Sequence, residues 1–187
     1  TMNFRVQAGS VAINAGNTIT DTKYDQYDQR GAPRPDSSPT IGAYEMLTAI
    51  TVNTSIDTFI DYANPNIGYN FTSNYAGWQT SLRNALFLAD GGATVTITPS
   101  TDSTVWARDN TIRLAYGQMQ IGTSLSLIAP VLFGGKPVII DGGWDGKSNT
   151  VGSRIFMINS LSTGLVDVSI SNLVLQNGNS QADTLGG

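Results

Sequence analysis

The side chains that could do chemistry gather in two places. Asp141, Asp145, Lys147, Arg154 and Asp167 form the denser set. Two carboxylates facing one groove are what glycoside hydrolysis requires. Against that reading, Asp141-Gly142 and Asp145-Gly146 are ordinary turn dipeptides, in which the Asp side chain bonds its own backbone. Residue types without a converging site do not make a catalyst, so the structural reading is preferred and no enzyme is expected. Asp21, Asp25 and Asp28 offer oxygen ligands for a calcium ion. Their spacing does not fit an EF-hand loop, and 141–152 lacks the closing Glu of one, so no cofactor is expected. Tyr24, Tyr27, Tyr62, Tyr69, Tyr75, Trp78, Trp106 and Trp144 could form a platform for sugars or simply cover a core end.

Composition narrows the chemistry further. The chain of 187 residues has no Cys and no His. That excludes Ser-His-Asp and Cys-His nucleophile systems and the usual zinc, haem and iron–sulfur sites. A net charge of −4 with only ten Lys and Arg argues against nucleic acid and against anionic membrane surfaces. No apolar run reaches the roughly 18 residues of a membrane span. Glu occurs once, at Glu45, and Lys three times, so surface helices are poorly supplied. Thr, Ser, Asn and Gly suit exposed strand faces and tight turns instead. A Cys-free, Thr/Asn/Gly-rich, acidic chain fits a bacterial exported protein better than a cytosolic enzyme. Thr1 and Leu185-Gly186-Gly187 read as ends cut from a longer frame.

The elements that must position these residues are short. Residues 1–46 are polar and turn-rich, and Pro33, Pro35 and Pro39 exclude a continuous helix. Phe4-Arg5-Val6 and Val11-Ala12-Ile13 read as brief strands. Beyond Ala49 the pattern changes: Ile50–Asn53 alternates, and a polar loop follows over 55–78, long enough to be a contact surface. One helix is predicted around Leu82, Ala85, Leu86 and Ala89, which share a face. Thr80 or Ser81 would cap its start and Gly91 its end. Strands are predicted at 94–98, 111–114, 118–121, 124–128, 138–140, 155–158, 168–170 and 173–175, each with apolar residues at spacing two. Hairpin dipeptides hardly occur between them. The strands cluster about 20–25 residues apart, which favours a solenoid over a sandwich or barrel. Residues 94–175 would supply roughly four or five rungs. The helix just before them is suited to cover the first open end. Asn172 and Asn177 are candidates for Asn ladders beside turns.

These residues also carry a resemblance. Gly77-Trp78-Gln79-Thr80-Ser81-Leu82-Arg83-Asn84-Ala85-Leu86 resembles the cap helix that opens many bacterial surface β-helices, whose motif reads Cys-Ser/Thr-Leu-Arg-Glu-Ala. Thr80 and Asn84 stand at its Cys and Glu. Thr94–Pro99, Val138–Gly142, Ser153–Phe156 and Ile170–Gly178 look like successive coils of right-handed parallel β-helices of the pectin-lyase-like type. Gly9–Asn17, Asp28-Gln29-Arg30-Gly31-Ala32-Pro33-Arg34-Pro35 and Ile41–Glu45 are similar to a closing pattern of the same domains. The resemblance implies an all-β, right-handed parallel β-helix with one short capping α-helix. Residues 1–46 would be closing coils, and 47–187 the cap strand, loop, cap helix and first coils. Asp28 and Arg30 would pin the closing loop, with Arg34 and Glu45 as an ion pair. Thr80, Ser81, Leu82, Arg83 and Leu86 would form the cap, with Arg83 bonding carbonyls at the stack end.

A closing motif ahead of an opening one implies either a window on a tandem array, with its junction near Met46–Ala49, or a subunit that stacks head-to-tail on its own copies. A short β-helix, circularly permuted and closed on itself, is the third possibility. In the subunit case Leu173 and Leu175 would meet Phe4 and Val6 of the next copy. Such a chain is expected to be an extracellular or cell-surface structural or adhesive protein, with itself, neighbouring units or surface glycans as partners. The alternative is a carbohydrate-active or carbohydrate-binding β-helix: lyases of this fold need acidic calcium ligands and a basic proton acceptor.

Overall fold

Among the described residues, alternation of apolar and polar residues builds nine short strands, and one stretch of helical period builds one helix. The computed structural model describes residues 6, 9–18, 28–30, 32, 34–35, 37–58, 80–147, 152–158 and 165–180. Two compact units divide the chain, one built on Thr1–Leu47 and the other on Thr48–Asp61 and Pro65–Gly187.

The second unit holds all the regular elements. They are β1 (Ala49–Val52), α1 (Leu82–Leu88), β2 (Ala93–Ile97), β3 (Thr111–Arg113), β4 (Met119–Ile121), β5 (Leu125–Ile128), β6 (Val138–Asp141), β7 (Phe156–Ile158), β8 (Val168–Ser171) and β9 (Leu173–Gln176). In β2, Ala93, Val95 and Ile97 are buried while Thr96 is exposed, the period-two pattern of a strand with one face inward. The strands form three sheets, ordered β1-β2-β5-β8, β3-β6-β9 and β4-β7. Every pairing between them is parallel. From β2 onward the chain visits the three sheets in turn and returns to each at every third strand. The described chain is therefore mostly strand, in parallel sheets, with one short helix.

In-register columns of side chains make the core. Val95 stands beside Leu127, Ile112 beside Ile140, and Ile121 beside Ile158. Val95, Leu127, Ile112, Ile140 and Ile121 are all essentially inaccessible. Burying each such side chain is worth about 1.5–3 kcal/mol.

Four expectations need correction. The circuits are longer than 20–25 residues: Ser126 meets Ser169 43 positions on, and Asp141 meets Gln176 35 positions on. Connections after β2, β5, β6 and β7 take up that length, so 94–175 supplies only three levels (β2, β5 and β8) to the deepest sheet. Val11–Ile13 is a turn, not a strand, because Ile13 N–H closes onto the Ser10 carbonyl at 3.2 Å and Asn14 takes a positive φ. Finally, Gly91 does not end the helix. Ala89 does, its N–H bonding the Ala85 carbonyl while its ψ of 134° leaves the helical region. Gly92, at φ +82°, then turns the chain into β2.

α1 nonetheless lies where the pattern puts it. Ser81 Oγ accepts the Asn84 N–H at 3.2 Å, an N-cap that satisfies one of the helix's orphan donors. Leu82, Ala85, Leu86 and Leu88 are buried, and the helix packs on β1, β2 and β4.

Candidate functional site

Three polar constellations stand out among the described residues, and two of them are structural. In the first unit Asp28 accepts from Arg30 N–H (2.7 Å), Ala32 N–H (2.8 Å) and Glu45 N–H (2.9 Å). Arg30 Nε donates to Asp28 at 3.0 Å, and Arg30 Nη2 donates to the Glu45 carbonyl. The Arg30 guanidinium lies 3.5 Å from the centre of the Tyr44 ring. Glu45 in turn takes the Thr40 N–H at 2.8 Å and the Thr40 hydroxyl at 2.9 Å. Arg34 donates to the carbonyls of Thr40 and Gly42 and sits 3.7 Å from the Glu45 carboxylate. The structure thus brings Asp28, Arg30, Arg34 and Glu45 together as a loop-pinning network. Four donors thus reach the Asp28 carboxylate within this loop. Asp21 and Asp25 lie outside the described residues. No group of three potential metal ligands gathers among those described.

The second constellation fixes the cap helix. Arg83 Nε and Nη2 each donate to Asp57 at 2.8 Å, a bidentate pair that is almost fully buried. Arg83 also donates to the carbonyls of Gln118 (2.9 Å) and Gly117 (2.7 Å). Asp57 returns the bond by accepting the N–H of Ala115 at 2.8 Å. One guanidinium therefore ties α1 to residue 57 and to the turn before β4. Sequence reasoning reached Arg83 and its carbonyls but missed Asp57. No local pattern marks that residue, since its partner lies 26 positions away in the sequence.

The third constellation is a surface cleft. Arg113, Asp141 and Gln176 stand in register on β3, β6 and β9, on the outward face beside the buried column Ile112–Ile140. Asp141 accepts from Gly143 N–H (2.8 Å), Gln176 Nε2 (3.0 Å) and Asn177 Nδ2 (3.0 and 3.1 Å). Burial alone would raise the Asp141 pKa. These hydrogen bonds and the Arg113 charge outweigh it and hold the group below its ordinary value. Arg113 pairs with Asp109 at 2.5 Å, and that bond lowers the Asp109 pKa. Between these strand ends and the loop carrying Trp144 and Asp145 opens a cleft of about 260 Å³.

Trp144 is mounted rigidly on that cleft. Its backbone N–H donates to the Asn177 carbonyl at 3.0 Å, and its indole Nε1–H donates to the Lys147 carbonyl at 3.0 Å. Gly152 approaches so closely that a Cβ there would sit 2.4 Å from the Trp144 Cβ. Of the five charged candidates, the structure brings Asp141 and Asp145 to this cleft, with the Lys147 ammonium 3.7 Å from Asp145. Asp167 lies by Ser124, whose Oγ accepts its N–H at 3.0 Å. Arg154 is half-buried, and its carbonyl accepts the Ser153 hydroxyl.

Of the aromatic candidates, Trp106 is 2% exposed and belongs to the core rather than to a platform, its backbone N–H donating to the Asp102 carbonyl at 2.9 Å. Tyr24, Tyr27, Tyr62, Tyr69, Tyr75 and Trp78 fall outside the described residues. Asn172 bonds the Ala129 carbonyl at 3.0 Å and Asn177 bonds Asp141, so neither stacks on another Asn. Of the expected assembly residues, Leu173 and Leu175 lie on β9, Val6 is half-buried outside any strand, and Phe4 is not described.

No protein family, no curated protein and no solved structure matches this chain.

Proposed function

We propose that this chain is a non-enzymatic, extracellular or cell-surface architectural or adhesive protein, built as a right-handed parallel β-helix. It works as a unit of a tandem array or as a subunit that stacks head-to-tail through its last coil. The observation that carries this reading is the return of the chain to each parallel sheet at every third strand. That is how a solenoid winds, and stacked coils make a rod whose stiffness needs no ligand. The edge of β9, which pairs with no further strand among the described residues, with Leu175 46% exposed, supports the idea that further strands add there. The non-catalytic side rests on Asp141. Its carboxylate is filled by bonds that position its neighbours, which suits a loop anchor better than a proton carrier.

Two measurements together test the proposal. The first is sedimentation velocity of the 187-residue chain across concentration, beside the double variant Leu173→Asp/Leu175→Asp. The second is the intact denatured mass of the protein from its native source. Stacking predicts species that grow with concentration and vanish in the variant. A tandem array predicts a native mass many times 19.8 kDa. A chain that stays monomeric and has a native mass near 19.8 kDa would sink both versions.

A further inference from the structure

We infer that the cleft between Trp144 and the ends of β3, β6 and β9 is a binding site for a neutral glycan. This goes beyond the architectural reading, since the cleft's geometry is local and holds whether or not the chain forms a rod. Three features carry it.

The first is the indole. Trp144 is half-buried, yet it is fixed at its backbone by Asn177, at its Nε1 by the Lys147 carbonyl and at its Cβ by Gly152. An aromatic side chain held this way on a loop offers apolar area with little ordering left to lose, the property that favours binding at a shallow surface. A pyranose ring presents a matching apolar face of C–H groups.

The second is the set of polar partners around the ring. Arg113 has five N–H donors in a planar fork, and its exposed pair with Asp109 occupies two of its nitrogens. Such an exposed pair is held by about 0–1 kcal/mol, so the fork can turn to a ligand at little cost. Asp145 lines the same cleft; its carboxylate is 45% exposed, lies 3.7 Å from the Lys147 ammonium and accepts the Lys147 N–H. A guanidinium and a carboxylate lining one cleft suit vicinal hydroxyls, which accept from one and donate to the other. Asn177, held in place by Asp141, adds its amide to the lining of the same cleft.

The third is charge. Among the described residues the charged lining is Asp141, Asp145 and Arg113, with Asp109 paired to Arg113 and Lys147 3.7 Å from Asp145. The surplus of negative charge disfavours uronate, sulfated or phosphorylated ligands and leaves neutral sugars. At about 260 Å³ the cleft is below the usual range for a drug-sized ligand, so it fits one residue or two of a chain rather than a whole oligosaccharide.

The test is NMR titration of the ¹⁵N-labelled protein with β-1,4-linked pentaoses of glucose, mannose, xylose and galactose, with pentagalacturonate as the acidic comparison. The Trp144 indole N–H is the reporter, assigned by its disappearance in Trp144→Phe. We expect at least one neutral pentaose to shift that signal at about 10 mM, with a Kd in the millimolar range typical of a single shallow contact. Read in all variants from the backbone amide of Asn177, which lines the same cleft and which every variant keeps, Trp144→Ala should weaken binding by about tenfold or more and Arg113→Gln by about threefold, both with the β2 and β5 amide signals in place. Trp144→Phe keeps a ring and should bind within about threefold of the parent; this variant decides the matter if Trp144→Ala fails to fold. The inference is overturned if no neutral pentaose moves the indole signal, if pentagalacturonate binds more tightly than all of them, or if a folded Trp144→Ala binds as well as the parent.

Discussion

The sheets of the second unit have two edges, and they end differently. On the early edge the inward residues of β3 and β4 are closed off, Ile112 being 1% exposed and Ile121 0%, and Ile50 of β1, which heads the column of Val95 and Leu127, is half-buried. On the late edge the same columns end in Ile170 at 36%, Leu175 at 46% and Ile158 at 46%. The columns are continuous, since Leu127 pairs with Ile170 and Ile140 with Leu175. What differs is the cover. The early edge has α1, locked down by Arg83 and Asp57. Among the described residues nothing equivalent lies over β8 and β9. A parallel sheet built from successive circuits has an exposed flank at each end, and this chain spends a helix and a buried ion pair on one of them.

Breaking the cover should have the largest effect. Asp57→Ala leaves the buried Arg83 guanidinium without its bidentate partner and should cost about 3–5 kcal/mol, read as a lower midpoint in urea unfolding. Removing apolar mass sharpens the contrast between the edges. Leu127→Ala, in the middle of its column, should cost about 2–5 kcal/mol. Leu175→Ala, at the exposed end of its column, should cost under about 1 kcal/mol, because less area leaves the core and solvent fills the gap. Equal losses at the two sites would mean that both edges are covered. Ser81→Ala removes the N-cap bond to Asn84 and a 2.8 Å bond to the Thr58 carbonyl. It should cost about 1 kcal/mol, visible as faster exchange of the α1 amides.

The smallest effect is on the late edge and depends on pH. Asp141 ties β6 to Gln176 and Asn177 at the end of β9, and its pKa is held below the ordinary 3.8. The unfolded chain therefore binds its proton more readily than the folded one does. The stability Asp141 contributes is present in full above about pH 4 and is lost as the pH falls through the depressed folded value. Urea midpoints at about pH 5 and about pH 2.5 should fall further apart for the parent than for Asp141→Asn, which has no proton to take up. Identical slopes would show that the carboxylate contributes nothing to holding β9.

Much of this architecture was legible in the sequence, because apolar residues at spacing two report directly on which side chains face inward. Thr94-Val95-Thr96-Ile97 and Val138-Ile139-Ile140 fall on strands for that reason, and Leu82, Ala85 and Leu86 fall on the buried face of a helix. The length of each circuit was not legible. It is set by how far the connections wander, and polar connections carry no period. Trp106 stayed undecided between platform and core cover for a related reason: an aromatic residue in a turn-rich stretch has no period to place it, and the turn at Asp102 folds it inward. The cleft was half legible. Asp141, Asp145 and Trp144 were visible as residue types, but Arg113 joins them only through the register of β3 with β6, which no single segment encodes. Asp57 was invisible altogether, because its role depends on a partner brought close by the fold.

The most direct test of the two-edge account is native-state hydrogen exchange on dilute protein, comparing β8 and β9 with β3 and β4. The account predicts that amides of β8 and β9 exchange through a partial opening, about a hundredfold or more faster than those of β3 and β4, which open only with global unfolding. Protection of β8 and β9 equal to that of β3 and β4 in dilute solution would contradict it.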